Sequence, residues 1–173
     1  MSVESTLLKV DADLRAGRIP VARQRLRGLA SSYPADLTVR RRLAEVYRLY
    51  GEPVEAGRWA YLEEDRDPEE TAAFEARYPD PRVRMGAVRW YGSERLVEPE
   101  TARARLAGLR EAASAHAGRP VCWHTIEKLA PPGDQEASLG DSEWLFLTVF
   151  AVVVLAVLGF AVLGVVTMVR WLL

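Results

Sequence analysis

Cysteine and histidine are nearly absent from this chain of 173 residues. Cys122 is the one cysteine, so the chain cannot form an internal disulfide or build a zinc site from cysteine ligands. Two histidines, His116 and His124, leave little to replace them. The composition therefore excludes a disulfide-stapled secreted module, and we predict no metal and no cofactor.

The familiar catalytic motifs are also missing. The sequence contains no glycine-rich phosphate loop, no GxSxG motif and no HExxH spacing. A nucleophile type and a base type meet only at Cys122-Trp123-His124. On a helix, residues two apart point about 200° apart, which is wrong for one catalytic site. We expect this cluster to be buried structural packing, and we predict that the protein is not an enzyme.

Charge of one sign is not in excess overall, since 23 basic residues face 24 acidic ones. This balance, and the lack of a recognisable reader fold, argues against nucleic acid as a partner. The distribution is uneven, however: residues 15–48 hold nine arginines and two acids, whereas residues 52–80 hold ten acids and three arginines. The arginines either form a face for an acidic peptide, an anionic lipid headgroup layer or a nucleic acid, or they pair with the acidic segment of the same domain. For the first case, the predicted partner contacts are Arg23, Arg27, Arg41, Arg48 and Tyr47.

One long apolar run lies near the C-terminus. It covers residues 145–169 without a charged side chain and is longer than the roughly 20 residues that cross a bilayer. Trp144 and Trp171 flank the run, and Arg170 lies beside Trp171, as is typical of membrane interfaces. Because the N-terminal segment 1–30 lacks an apolar run, we expect no signal peptide and a single-pass protein of the cytoplasmic (inner) membrane, with its N-terminal domain in the cytoplasm.

The remaining sequence predicts an all-α fold of successive amphipathic helices. The predicted domain limits are residues 1–130 for the helical domain, 131–143 for a flexible linker, 144–170 for the transmembrane helix and 171–173 for a short tail on the far side. Helices are expected at about 5–16, from Pro20 to Pro34, from Asp36 to Gly51, at 53–64, 71–78, 83–90 and 98–117, and after Pro120.

Three residue types recur at a constant interval in the first part of the chain. Gly17, Ala22 and Pro34 recur as Gly51, Ala56 and Pro68, an interval that equals the period of the tetratricopeptide repeat, about 34 residues. The first copy matches less well, because Asp13 stands where the consensus has an aromatic residue. The spacing is lost after the second copy. The sequence thus predicts about two tetratricopeptide-like hairpins followed by further helices; an ordinary helical bundle is the alternative.

Three phrases carry a family resemblance: VARQRLRGL at 21–29, LAEVYRLYG at 43–51 and AGRWAYL at 56–62. With them, the chain resembles an uncharacterised domain-of-unknown-function family of helical, tetratricopeptide-like proteins from GC-rich bacteria, over roughly residues 5–80. This resemblance implies fold and source, and it supplies no activity or cofactor. Similarity to tetratricopeptide proteins implies a surface that binds peptides or proteins.

Two functions follow as hypotheses. The first is a membrane-anchored adapter or scaffold, in which the helical domain binds an unidentified protein and the C-terminal helix holds the complex at the lipid bilayer. The second is a small membrane protein, of the immunity or pore-associated type, whose transmembrane helix self-associates or binds another membrane subunit. A short echo of small residues, AVLGF at 156–160 and AVLGV at 161–165, leaves a homo-oligomer open.

Overall fold

The computed structural model describes residues 2–126, and within that range the chain is all-helical without a strand. The eight α-helices of this range are α1 Val3–Arg15, α2 Ile19–Ser32, α3 Leu37–Leu49, α4 Pro53–Trp59, α5 Pro68–Arg77, α6 Pro81–Val88, α7 Glu100–Ala117 and α8 Trp123–Ile126, with a short 3-10 helix at Glu94–Leu96. None of these helices is long and apolar enough to cross a membrane. The predicted linker and transmembrane segment, with Trp144, Arg170 and Trp171, lie outside the described residues.

Local sequence sets most of the helix starts. Asp36, Asp67 and Asp80 precede α3, α5 and α6, and each side chain accepts hydrogen bonds from backbone N–H groups of the first turn. Proline opens α4, α5 and α6, where its missing N–H costs nothing. The predicted N-cap at Asp36 is confirmed, with Asp36 Oδ1 at 3.1 Å from the Val39 nitrogen.

The first four helices form two matching pairs. Helices α1 and α3 span 13 residues each and begin at Val3 and Leu37. Helices α2 and α4 begin at Ile19 and Pro53, so the second pair follows the first at one constant interval along the chain. Gly17 and Gly51 end the first helix of each pair with φ of 71° and 67°, a conformation that glycine adopts without strain. Small or apolar residues at matching positions are fully buried: Val10 with Ala44, and Ala22 with Ala56.

The repeat does not continue into α5, as predicted. A third copy would begin at residue 71 with its second helix at residue 87, whereas α5 begins at Pro68 and α6 at Pro81. The predicted extent of α4 to Glu64 is wrong, because the helix ends at Trp59. Beyond it, Arg105 of α7 donates hydrogen bonds to the carbonyl oxygens of Glu63 and Glu64, so these residues bind α7 instead of extending the helix.

Two hydrophobic clusters divide the described residues. The repeat region, residues 3–60, buries one cluster between α1, α2, α3 and α4. The aromatic region, residues 61–126, buries the other around α5, α6 and α7. Its aromatic members are Tyr61, Phe74, Tyr78, Trp90 and Trp123.

The expected burial of Cys122-Trp123-His124 is confirmed only for Trp123. That indole is 4% exposed and donates from Nε1 to Glu94 Oε1 at 3.1 Å. Cys122 and His124 are exposed, because α8 begins only at Trp123 and turns a single side chain of the three toward α6 and the 3-10 helix. The cluster therefore contributes one buried side chain, that of Trp123, to the core.

Candidate binding site

Two of the predicted contact residues pair with the acidic segment. Arg48 donates from Nε and Nη2 to the two carboxylate oxygens of Glu70, at 2.7 and 2.8 Å. Arg41 lies 3.4 Å from Glu63 Oε1 and 3.6 Å from Asp65 Oδ1. Both arginines therefore form ion pairs within the domain.

Other arginines of the basic segment pair with α1. Asp13 accepts from Arg18 at 2.8 Å and from Arg25 at 2.7 Å, and these hydrogen bonds lower the pKa of Asp13. Arg42 contacts Asp11 as well as Glu45. Asp13 is 4% exposed, so the position where the repeat consensus has an aromatic residue holds a buried carboxylate with two guanidinium partners. The mismatch in the first copy is thus compensated by ion pairs.

Tyr47, Arg23 and Arg27 occupy three different settings. Tyr47 is 5% exposed within the repeat region, and burial raises the pKa of its hydroxyl. The guanidinium of Arg23 lies over the ring of Tyr50, 4.9 Å from its centroid. Arg27 lines a pocket. These settings are close together, because the charges of Arg23 and Arg27 both act on the pKa of the Tyr47 hydroxyl. Arg27 marks the concave part of this surface.

The pocket that Arg27 lines has a volume of about 220 Å³ and is called here the Trp59 pocket. The end of α2, the end of α4 and the segment after α6 meet there. Its described lining residues are Arg27, Ala30, Ser31, Trp59, Arg89 and Tyr91, none of which is acidic. The repeat hairpins alone do not complete it, because Arg89 and Tyr91 come from the aromatic region.

Arg89 reaches the pocket through an uncommon backbone conformation. It ends α6 in the left-handed region, with φ 51° and ψ 48°, a place where glycine or asparagine is usual. Its N–H still caps the helix by donating to the Gly86 carbonyl at 3.1 Å. The turn sends the chain directly to Trp90 and Tyr91, so Trp90 enters the core while Tyr91, 42% exposed, borders the pocket.

Two buried arginines lie against Trp59. The guanidinium carbons of Arg40 and Arg58 lie 5.1 and 5.3 Å from the centroid of its ring, and each arginine is 1% exposed. Trp59 itself is 5% exposed, and its Nε1 has no hydrogen-bond acceptor among the described residues. The indole thus packs against two guanidinium groups in cation–π geometry.

The same two arginines connect α3 and α4 to the end of α6. Arg40 Nη2 donates to the Val88 carbonyl at 2.9 Å, and Arg58 Nε donates to the Ala87 carbonyl. These carbonyls belong to the last turn of α6, where unpaired acceptors and the helix dipole favour cations. Arg58 Nη1 also binds Glu55 Oε2 at 3.2 Å.

Burial lowers the pKa of Arg40 to about 9, and the neighbouring charge of Arg58 acts in the same direction. Arg40 still carries its proton at neutral pH, so the protein holds two guanidinium charges beside the Trp59 pocket. The Nε and Nη1 atoms of Arg40 have no hydrogen-bond acceptor among the described residues. The region behind the indole is therefore positively charged and rich in donors.

Residues 2–126 offer less for metal binding or for carboxylate chemistry than for anion binding at the Trp59 pocket. No group of three or more histidine, cysteine, aspartate or glutamate side chains is placed there to hold a metal ion. Glu63, whose carboxylate is 9% exposed, has its pKa raised by burial and partly restored by Arg41 and Arg48. It lies on the acidic side of the domain, in ion-pair range of Arg41, and does not line the Trp59 pocket.

Sequence reasoning missed Arg40, Arg58, Arg89 and Tyr91. A signal for Arg40 was present, because residues 40, 43, 44 and 47 lie on one face of a helix and the last three are apolar or aromatic. An arginine on such a face is either buried with the apolar side chains or interrupts the apolar face. No comparable pattern marks Arg89, whose position depends on the left-handed turn.

Among the comparisons with known proteins, one found a match. The family model described as a family of unknown function (DUF6584) matches residues 1–170. No curated protein and no solved structure matches the chain significantly. The family match covers nearly the whole chain, beyond the residues 5–80 that carried the resemblance. The chain belongs to this family of unknown function, DUF6584.

Proposed function

We propose that this protein is a membrane-anchored adapter without catalytic activity. The helical domain binds a segment of a partner protein. The apolar run at residues 145–169 spans the cytoplasmic membrane and holds the complex there, with the helical domain on the cytoplasmic side.

The observation that carries this proposal is the constant offset between the two helix pairs. Helices α1 and α3 have the same length, and matched residues end them and fill the space beneath them. The offset, the small buried residues and the glycine turns support a similarity to tetratricopeptide repeats, whose stacked hairpins present extended binding surfaces. Helices α2 and α3 also pack together, which stacks the second pair on the first.

The arrangement of arginines supports the choice of partner chemistry. Arg23 and Arg27 lie four residues apart on one face of α2, and we expect the partner to contact the surface that holds them. Both arginines also interact with other groups of the chain, so the partner shares or replaces those interactions. A segment with acidic residues fits this surface best. Tyr50, beneath Arg23 and 36% exposed, adds an aromatic contact beside the charge.

The test is co-purification from solubilised membranes with the tagged full chain. The double variant Arg23→Glu with Arg27→Glu is expected to lose its protein partner, whereas Arg119→Glu, which changes an exposed residue outside the repeat region, should keep it. Circular dichroism must show the same helix content for both variants. Retention of the partner by the double variant would reject this surface.

Replacing residues 145–169 by an unrelated spanning helix separates the adapter from its alternative. An adapter keeps its partner, because the helix serves only as an anchor. A protein whose own transmembrane helix self-associates or binds a membrane subunit loses that association on replacement. Loss of every interaction on replacement would therefore contradict the adapter and favour the second function.

A further inference from the structure

We propose that the Trp59 pocket is a binding site for a phosphate group, either free or carried by a lipid headgroup. This inference goes beyond the adapter proposal, which requires only an outer surface for a protein segment. Three observations support the proposal. They are the hydrogen-bond donor residues that line the pocket, the buried indole N–H of Trp59 without an acceptor among the described residues, and the positive charge behind that indole.

The donors come from separate parts of the chain. Arg27 and Ser31 lie on α2, whereas Arg89 and Tyr91 follow α6. Two arginines, a serine and a tyrosine thus line one cavity. Their side chains are of the types that donate to phosphate oxygens, which arginine binds through two parallel hydrogen bonds. Arg27 and Arg89 also interact with other groups of the chain, so a bound phosphate shares or replaces these interactions.

The second observation is the unused donor at the wall of the pocket. Trp59 lines the cavity, is 5% exposed, and its Nε1 has no hydrogen-bond acceptor among the described residues. Buried polar groups in native proteins almost always have partners, and an exception requires an explanation. We assign the role of this acceptor to an oxyanion bound in the cavity that Trp59 lines.

The third observation is the charge behind the indole. Arg40 and Arg58 lie within 5.3 Å of the ring centroid, and Arg40 keeps two donor atoms without acceptors among the described residues. Arg58 has Glu55 beside it, whereas Arg40 binds only carbonyl oxygens in this part of the chain. A doubly charged anion a few ångströms away offsets this positive charge better than a singly charged carboxylate.

The volume agrees with this ligand. A cavity of about 220 Å³ admits a phosphate group with accompanying water and is smaller than the usual sites for drug-sized ligands. It does not admit a folded segment of a partner protein. The phosphate site is therefore a small pocket beside the proposed protein-binding surface, and Arg27 belongs to both.

The experiment uses the full chain in micelles of a neutral detergent and follows the indole N–H signals by NMR. The first arm adds sodium phosphate, with sodium chloride at equal ionic strength as reference. The second arm adds phosphatidic acid to the micelles, with a neutral lipid as reference. We expect saturable shifts of one indole signal, identified as that of Trp59 because Trp59→Phe removes it.

Variants then test the geometry. Arg27→Gln with Arg89→Gln is expected to weaken binding about tenfold or more, and Arg119→Gln to leave it within about twofold. Saturation by sodium phosphate identifies a free phosphate, whereas saturation only by phosphatidic acid identifies a lipid headgroup; both support the site. The inference is wrong if neither arm saturates, or if Arg119→Gln weakens binding as much as the double variant. The titration of the unmodified chain tests phosphate binding without the variants, so an unstable variant does not leave the proposal untested.

Discussion

The repeat region and the aromatic region bury their interiors by different means. In the repeat region, alanines and short aliphatic residues at matching positions of the two copies let two helix pairs pack in the same way. In the aromatic region, Phe74 contacts Tyr61 and Tyr78 with ring centroids 5.4 Å away in each case, and no repeat sets their positions. A repeated pattern thus determines one half of the domain, and irregular aromatic packing determines the other.

The two regions are joined by polar contacts as well as apolar ones. Leu37 and Val54 of the repeat region pack against the aromatic cluster, and the buried arginines Arg40 and Arg58 bind the last carbonyls of α6. Gly57 lies at the same junction, where α4 packs closely on α5. The Trp59 pocket forms at this junction, so its existence depends on both regions.

The largest expected effect is that of Gly57→Ala. A methyl group at this position collides with the backbone carbonyl of Glu70, which cannot move without moving α5. We expect a loss of about 3 kcal/mol in the free energy of unfolding by urea. The matched control is Gly28→Ala in α2, where the space is open and alanine favours the helix by about 0.5–1 kcal/mol. Equal stability of the two variants would show that the regions do not meet closely at Gly57.

Removing the buried arginine is expected to have a smaller effect. Arg40→Ala takes a donor from the Val88 carbonyl and leaves a cavity below Trp59, while it also removes a desolvated charge. The opposing contributions give a net loss of about 2 kcal/mol. Arg48→Ala, on the same helix but with a partly exposed ion pair, should cost less than about 1 kcal/mol. Urea unfolding of both variants measures the difference, and a larger effect at Arg48 would contradict the role given to Arg40.

Acid should weaken each region through a different carboxylate. Arg18 and Arg25 lower the pKa of Asp13 in the repeat region, and Arg82 lowers the pKa of Asp80 in the aromatic region to about 2. Because both pKa values lie below those of the unfolded chain, the stabilisation is complete only above about pH 5 and is lost progressively as the pH falls toward the folded-state values. Urea unfolding between pH 2 and 5 should show a smaller dependence on pH for Asp13→Asn and for Asp80→Asn. An unchanged dependence in both variants would count against these ion pairs.

The smallest effect concerns Glu63, whose pKa is raised because its carboxylate is buried. The folded state therefore disfavours the ionised form, and that cost is present at neutral pH and disappears as the pH falls below the usual range of a glutamate. Glu63→Gln should increase the free energy of unfolding at pH 7 by up to about 1 kcal/mol, with a smaller gain at pH 4. The exposed neighbour variant Glu64→Gln is the control. A destabilised Glu63→Gln would mean that the ion pair with Arg41 outweighs burial.

The sequence predicted the repeat region well, because its signals are local. Glycine turns, proline starts, the Asp36 cap and small residues at a fixed spacing act within a few residues of where they stand. The end of α4 was predicted wrongly, and the residues after it, Glu63 and Glu64, bind Arg105 from far along the chain. Contacts at that separation leave no periodic signal in one sequence.

The site was only partly predicted. Arg27 was identified from charge, but the residues that complete the Trp59 pocket come from a left-handed turn at Arg89 and from arginines buried against a ring. The ion pairs of Arg41 and Arg48 also depend on the tertiary fold, since their partners lie beyond the end of α4. Charge composition gave two interpretations: internal pairing describes Arg41 and Arg48, whereas a face for a partner stays a prediction for Arg23 and Arg27.

The most direct test of the adapter is site-specific photo-crosslinking of the full chain in cells. A photoreactive residue would replace Leu49 of the repeat region or Leu96 of the aromatic region, whose exposures, 63% and 58%, are closely matched. The account predicts a discrete protein adduct from position 49 and none of comparable yield from position 96. An adduct from position 96 alone, or none from either position, would contradict the claim that the repeat hairpins bind the partner.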